Sequence, residues 1–437
     1  MIVPGNNVRL STRDSREFEG TILPDTNNEK IVIKLQSGYN IGIKKTKIES
    51  IKQLPKQMKK AIKKEKIKYN KNLPTVSIIH TGGTIASEVD YDSGAVIARF
   101  TPEELMGMFP ELKKIANINS FLLSNMWSED MRFSHYNLMA KAVKKEADKG
   151  ADGVIITHGT DTMAYTAAAL SFALEGLNIP VLIVGAQRSS DRGSSDAFMN
   201  LLCAVNYIAK SNFCDVGICL HETSDDKSCL ILPATKTKKT HTSRRDAFRP
   251  FNAEPIARVY PDGRYENISK HATRQDKKDS KIKVKPFREN IKVAILKAHP
   301  NLYATELDNY SKFDGLIIEG TGLGHIAINE IDKHTGENKK IYNSVKSLAK
   351  KMPVFMTSQC NNGRINMNVY STGRKIKESG VIGDHNDMLT ETAFIKMAWL
   401  LSNYPKPMVH KLMMENLRGE ISPRSLEKEF HFFNNNQ

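Results

Sequence analysis

The sequence predicts an α/β protein: a doubly wound parallel sheet followed by a smaller α/β domain, with a small β-barrel ahead of both. Three observations carry that prediction. Four continuous apolar runs, "VSIIH", "GVIIT", "VLIVG" and "VGICL", mark strands buried on both faces. Helical segments stand between them at Ser134 to Lys149, Thr162 to Leu177 and Ser195 to Lys210, and such alternation builds a parallel sheet. The first 54 residues instead alternate short β-rich runs with turn residues.

Taken in order, the amino-terminal runs are "NVRL", "EFEGTIL", "KIVIKL" and "YNIGI". They break at Pro24-Asp25, Asn27-Asn28 and Ser37-Gly38, which is hairpin punctuation, and an SH3-like barrel over residues 1–54 fits. The lysine-laden stretch "KQMKKAIKKEKIKYNKNLP" places Met58, Ile62 and Ile67 on one helical stripe, so residues 55–74 read as a basic linker or bridging helix. From Thr75 the buried strands begin; in the first long helix Ser134 is the expected N-cap and Gly150 the stop. A polar, basic stretch up to residue 285 interrupts the alternation. "VAILKA", "GLIIEG" and "PVFMTS" resume it, and a helix around Asp387 to Leu401 follows. Domains are therefore expected at 75–285 and 286–437, the second carrying a carboxyl-terminal tail.

Composition narrows the function. The longest apolar stretch, Ala164 to Ala186, is interrupted by Glu175, Asn178 and Pro180, so it reads as a buried helix and strand, not a membrane span. "MIVPGNNVRL" lacks the apolar core of a secretory signal. Five cysteines (203, 214, 219, 229 and 360) form no CxxC pair, which argues for free thiols and a cytoplasmic protein. The charge is segregated. Of a formal +16, residues 1–71 supply +10 (17 basic against seven acidic) and residues 235–285 supply +9 (15 against six). That pattern suggests contact with a polyanion, nucleic acid before membrane. The plainer alternative is a solvated lysine-rich face.

The chemistry lies where strands end. In "IHTGGTIASEVD" (79–90) a strand runs into a glycine turn with a threonine on each side, and "THGTDTM" (157–163) follows the strand "GVIIT". Both deliver threonine, glycine and a polar neighbour to the carboxyl edge of one sheet, where working residues of open α/β sheets sit. A phosphate cradle is excluded on detail, since there is no GxxxxGK[ST], no GxGxxG and no lysine after either turn. A nucleophile fits better. A hydroxyl needs a base nearby, and Asp161 beside Thr160, with Lys239 in "KKTHTSRRDAF", can furnish a desolvated lysine held by an aspartate. Glycine next to the threonine leaves backbone N–H groups open to a developing oxyanion. Thr81 reads as turn support, and His80 and His158 as hydrogen-bonded packing residues. No HExxH or carboxylate cluster suggests a metal.

"TGGTIAS" and "HGTDTM" resemble the two signatures of the bacterial-type L-asparaginase/glutaminase family. The resemblance runs from Val76 to Tyr404 and takes in "SEDM", "KTHTSRRDAF", "SQCNNGRINMNVY" and "STGRKI". It implies an asparaginase-like two-domain core, with Thr84 as primary nucleophile and Thr160, Asp161 and Lys239 as a Thr–Asp–Lys triad. Which of Thr84 and Thr160 attacks first stays open. By the same resemblance Ser128 and Glu129 hold the substrate's α-carboxylate and α-amine, and Tyr91 matches a lid tyrosine. One departure is "LPATKTKKTHT", which lacks the family's glycine and arginine ahead of the lysine. Lys238 and Lys239 must then be told apart, and the seven-residue offset to Asp246 selects Lys239.

The basic barrel, the arginine pair in "THTSRRDAFRPFN" and the tail "NLRGEISPRS" narrow the likeness further. Together they resemble the glutaminase subunits of archaeal glutamyl-tRNA(Gln) amidotransferases. That resemblance implies hydrolysis of glutamine and delivery of ammonia to a GatE-type kinase and tRNA-binding subunit, which converts Glu-tRNA(Gln) to Gln-tRNA(Gln). It implies no cofactor on this chain, ATP and Mg²⁺ being used by the partner, and a heterodimer that pairs into a heterotetramer of two of each. The alternative is a stand-alone L-asparaginase/glutaminase with a basic appendage, because one methylene between substrates gives only about 1–3 kcal/mol of discrimination.

Overall fold

The computed structural model describes residues 3–24, 29–35, 40–55, 69–83, 87–89, 96–98, 110–189, 194–274, 276, 280–427 and 430. At the amino terminus Asn7–Thr12 (β1), Glu17–Ile22 (β2), Lys30–Leu35 (β3), Asn40–Lys44 (β4) and Ile48–Gln53 (β5) form an antiparallel sheet in the order β4-β3-β2-β1-β5. Val8, Leu10, Ile22 and Ile33 make its small core. β5 is additional to the four runs expected. It is mostly polar, and only Ile48 and Ile51 pack on the core. The turns at 25–28 and 36–39 and the stripe of Met58, Ile62 and Ile67 lie outside the described residues.

The main sheet collects Thr75–Gly82 (β6), Asn117–Met126, Gly153–Thr157, Val181–Val184 and Val216–His221 as parallel neighbours. Between β6 and the next of these lies a short hairpin, Ser87–Val89 (β7) with Val96–Ala98 (β8), so the parallel strands after β6 are β9, β10, β12 and β13. The two-residue β11 is Leu174–Glu175. Cys229–Pro233 (β14), Ala257–Val259 (β17) and Tyr265–Asn267 (β18) extend the sheet antiparallel, giving the order β18-β17-β14-β13-β12-β10-β6-β9. Thr237–Lys239 (β15) and Phe248–Pro250 (β16) pair beside it. The strand β9, "NINSFLLSNM", is additional to the four apolar runs expected; it lies at the sheet edge, is half polar and is mostly part-buried.

Helix boundaries differ from expectation for local reasons. The first helix, α1, is Phe133–Asp148, and Arg132 caps it where Ser134 was expected; the Arg132 N–H donates to His135 Nδ1 at 2.9 Å. Helix α2 (Met163–Ala173) stops four residues short of Leu177, because Leu174–Glu175 leave to pair with Lys283–Val284 (β19). Helix α3 (Ala197–Lys210) starts late because Ser195 and Asp196 are spent on the preceding loop: Asp196 accepts from the N–H of Gln187 and Arg188.

Val293–Lys297 (β20), Gly315–Gly320 (β21) and Val354–Ser358 (β22) form the second, parallel sheet, with α4 (Gly336–Lys351) against it. Helix α5 (Thr390–Asn403) joins the two sheets. Its buried side chains share one core with α2, and the Phe172 and Trp399 rings stand 5.5 Å apart. After α6 (Lys406–Met413) the tail folds back. Glu420, fully buried, lies 2.6 Å from the equally buried Lys396, and Arg418 Nε donates to the Ser171 carbonyl. A second buried pair, Lys236 with Asp387 at 2.9 Å, spans the same joint. Of the five cysteines, four are buried free thiols and Cys360 is exposed. Among the described residues no helix is long and apolar enough to cross a membrane, and no His, Cys, Asp or Glu group could hold a metal.

Candidate active site

β9, β6, β10 and β12 are parallel neighbours, so their carboxyl ends bring four loops to one edge. The loops touch at glycines. Gly82 and Gly83 have φ of 103° and 79°, a left-handed backbone that glycine adopts freely, and a Cβ on Gly83 would collide with the backbone of Gly159. A Cβ on Gly159 would in turn stand 2.8 Å from Ser128 Cβ. Only glycine lets the turns after β6 and β10 and the segment after β9 pack this closely.

Onto this junction β15 delivers a lysine. Lys239 Nζ donates to Thr160 Oγ1 at 2.9 Å and to Asp161 Oδ1 at 2.7 Å. Its side chain is 14% exposed and that of Asp161 67%, so the group opens to solvent on the carboxylate side. Successive residues of a strand face opposite ways, and Lys238 instead pairs with Glu391 at 2.8 Å. The loop after Lys239 is braced. Thr240 N–H donates to the Ala247 carbonyl, and Asp246 accepts from Arg244 and Arg249. Although burial works against it, the Arg244 hydrogen bond helps hold the Asp246 carboxyl below its ordinary range.

Ser128 is buried against Gly159, and its backbone carbonyl accepts from Thr162 Oγ1 at 2.6 Å. Glu129 beside it is exposed, its carboxylate accepting from Ser128 Oγ at 3.4 Å. Thr84 and Tyr91 lie outside the described residues; β6 ends at Gly82, and Gly83 after it packs against the triad loop. The supporting residues are hydrogen-bonded inside the fold. Thr81 Oγ1 donates to the Thr157 carbonyl, and the His80 ring lies between Thr157 Oγ1 and Ser120 Oγ. His158 Nδ1 donates to the Gly159 carbonyl and Nε2 meets Thr166 Oγ1; burial pushes this imidazole down to about 4.

Two features were not visible in the sequence. Glu391 and Thr390 come from α5 in the second domain, with Thr390 Oγ1 donating to Glu319 on β21, so that domain reaches the lysine pair. The loop after β12 also abuts the triad: a Cβ on Gly185 would stand 2.9 Å from Thr160 Cγ2. A cleft of about 380 Å³ between Thr235, Asn252, Arg418 and Ser422 is separate, and no triad residue lines it.

The fold and the triad define a class. L-asparaginase structures superpose on most of the chain: that from Thermococcus kodakarensis covers 80% of it at 28% identity with a TM-score of 0.68, using 99% of its own length. L-asparaginase I from Vibrio cholerae covers 80% at 26% identity, also with a TM-score of 0.68 and 99% of its own length. Family models agree, with "Asparaginase, N-terminal" over residues 75–273, "Glutaminase/Asparaginase C-terminal domain" over 292–414 and "GatD N-terminal domain" over 2–54. The core is thus an asparaginase-type amidohydrolase fold behind an extra module. The glutamyl-tRNA(Gln) amidotransferase D subunit of Pyrococcus abyssi is 43% identical over 430 residues, 96% of this chain and 95% of its own. The D subunit of Thermococcus kodakarensis is 44% identical (96% and 94%), and that of Methanococcus maripaludis 40% (96% and 98%). The chain belongs to the family of glutamyl-tRNA(Gln) amidotransferase D subunits.

Proposed function

We propose that this chain is the glutaminase half of a cytoplasmic glutamyl-tRNA(Gln) amidotransferase, a carbon–nitrogen ligase that takes its nitrogen from glutamine. The observation that carries the reading is Lys239 Nζ held between Thr160 and Asp161 on an asparaginase-type core, in a chain that matches D subunits almost end to end. In this reading Thr84 Oγ attacks the side-chain amide carbon of glutamine. The C–N bond breaks, the hydroxyl proton goes to the leaving nitrogen, and ammonia departs from a glutamyl ester. Thr160 and Lys239 then activate water to cleave that ester and free Thr84 and glutamate. An amine between a hydroxyl and a carboxylate can take one proton and return it within a single arrangement of hydrogen bonds. Ser128 and Glu129 fix the α-carboxylate and α-amine, and Tyr91 closes over them. The chain itself needs no cofactor. ATP and Mg²⁺ belong to a GatE-type partner that holds Glu-tRNA(Gln), and the heterodimer pairs into a heterotetramer of two of each.

The test is an assay of the purified chain with glutamine and with asparagine, alone and with the partner subunit and Glu-tRNA(Gln). Glutamine hydrolysis that rises with partner and charged tRNA is the expected result. Fast asparagine hydrolysis that ignores the partner would instead make this a stand-alone asparaginase.

A further inference from the structure

The triad lysine does not ride on a strand of the main sheet. It ends β15, one half of a two-stranded ribbon in which Thr237 pairs with Pro250 and Lys239 with Phe248. The open end of that ribbon, at Thr235, Lys236 and Asn252, is held by the second domain. Lys236 Nζ lies 2.9 Å from the Asp387 carboxylate, both side chains buried. The Thr235 carbonyl accepts from Thr392 Oγ1 at 2.8 Å. Asn252 is tied most completely. Its Nδ2 donates to the carbonyls of Asp387 at 3.1 Å and Asn361 at 3.2 Å, and its Oδ1 accepts from the Gly363 N–H at 2.7 Å. The tail closes over the same residue, with Ser422 Oγ donating to the Asn252 carbonyl at 3.0 Å.

Asn252 is 4% exposed, and its φ of 53° is left-handed, a backbone that glycine and asparagine tolerate better than other residues. Both ends of its amide are engaged across the domain joint, so it does more than fill a turn. Thr160 and Asp161 follow β10 of the main sheet, whereas the lysine they meet is carried on a ribbon fastened to the second domain. Lys239 lies three residues past Lys236, about 10 Å along the strand. We propose that Asn252 is a positioning residue for the triad: it registers the ribbon on the second domain so that Lys239 Nζ meets Thr160 and Asp161 together. This rests on the glutaminase reading above. A ribbon freed at its base can pivot, and a shift of about 1 Å in a reacting group can cost roughly 10²-fold in rate. Ser128 and Glu129 follow β9 and lie off the ribbon, so substrate binding should not change with it.

The test is steady-state hydrolysis of glutamine by the full-length chain, at a temperature where urea titration shows each variant folded. Asn252→Gly keeps the left-handed backbone and removes the amide. It is expected to lower kcat by roughly 10- to 100-fold, with KM within about threefold of wild type. Because it acts through Lys239, it should add nothing beyond about twofold to the loss caused by Lys239→Ala. Asn252→Asp keeps the acceptor for the Gly363 N–H and loses only the donor. A smaller fall in kcat, roughly 3- to 10-fold at unchanged KM, is expected of it, and it carries the test if the glycine variant does not fold. An unchanged kcat, a loss confined to KM, or a further loss in the Lys239→Ala background would overturn the proposal and leave Asn252 a structural residue. A wild-type chain that hydrolyses neither glutamine nor asparagine would instead remove the glutaminase reading, and this inference with it.

Discussion

The barrel and the α/β core divide charge and chemistry between them. The barrel rests on a handful of buried aliphatics, Val8, Leu10, Ile22 and Ile33, and with the linker it holds +10 of the net charge. The core buries two sheets, ties their domains with Lys236–Asp387, seats its tail on Lys396 through Glu420, and holds the Thr160–Asp161–Lys239 group. A hydroxyl that must be activated needs neighbours fixed to within tenths of an ångström, and only the densely packed region can provide that. A surface that meets a flexible polyanion needs charge more than precision. The two regions should therefore fail in different ways when perturbed.

The largest effects belong to the core. Thr84→Ala should cut glutamine hydrolysis by at least roughly 10³-fold, a loss of about 4 kcal/mol of transition-state stabilisation. Transamidation by the assembled complex supplied with free ammonium should continue; loss of both would make the threonine structural. Lys239→Ala should match that loss, whereas Lys238→Ala, whose amine faces Glu391, should keep most of the activity. Equal losses in the two lysine variants would undo the site assignment.

Next comes the seat of the tail. Glu420→Gln leaves Lys396 buried beside a neutral amide, and removing one partner of a buried pair costs roughly 3 kcal/mol or more. Urea unfolding of the whole chain reads this as a fall of the core transition with the barrel unmoved. A smaller, pH-dependent effect follows from His158. Its folded value, about 4, lies below the ordinary 6.5, so between those values the unfolded chain holds a proton that the folded one does not. Stability from this group is therefore full above pH 6.5 and lost as the pH falls toward 4, by roughly 2–3 kcal/mol. His158→Gln should flatten that window in denaturant titrations at pH 7 and pH 4.5, and an unflattened profile would assign the loss to other groups.

The smallest effect on catalysis belongs to the barrel. Deleting residues 1–71 should leave glutamine hydrolysis within about threefold, since a module with its own core can be removed from its neighbour. The same deletion should reduce the salt dependence of tRNA binding by the complex, by roughly 0.9 in log–log slope for each phosphate no longer neutralised. If assembly with the partner fails while the slope stays put, the barrel docks protein instead of RNA. Unchanged assembly with an unchanged slope would deprive the charge segregation of any role.

What was legible in the sequence was whatever local pattern dictates. Four uniformly apolar runs gave the parallel strands, because burial on both faces leaves no other composition. The glycine turns announced the junction, because left-handed backbone at Gly82 and Gly83 restricts the residue type. Illegible were the parts fixed by distant partners. The edge strand β9 looks polar until its neighbour is known. Helix α3 starts late because Asp196 serves residues nine positions upstream. The offset to Asp246 selected Lys239 from the sequence, but that Glu391, 153 residues from Lys238, holds the other amine was not legible there.

The returning tail sets an order on the making of this molecule. Arg418 reaches back to the Ser171 carbonyl across 247 residues of chain, and Glu420 seats the ammonium of Lys396. A ribosome makes those residues after every strand of both core sheets, while the barrel, all of whose strand pairs fall within residues 7–53, can close long before. The nascent chain therefore carries a finished front end and a core without its tail contacts until residues 418–420 have been made. A product cut short before Arg418 keeps the Lys236–Asp387 pair and the core shared by α2 and α5 but lacks the ties to Ser171 and Lys396, leaving the Lys396 ammonium buried without its carboxylate.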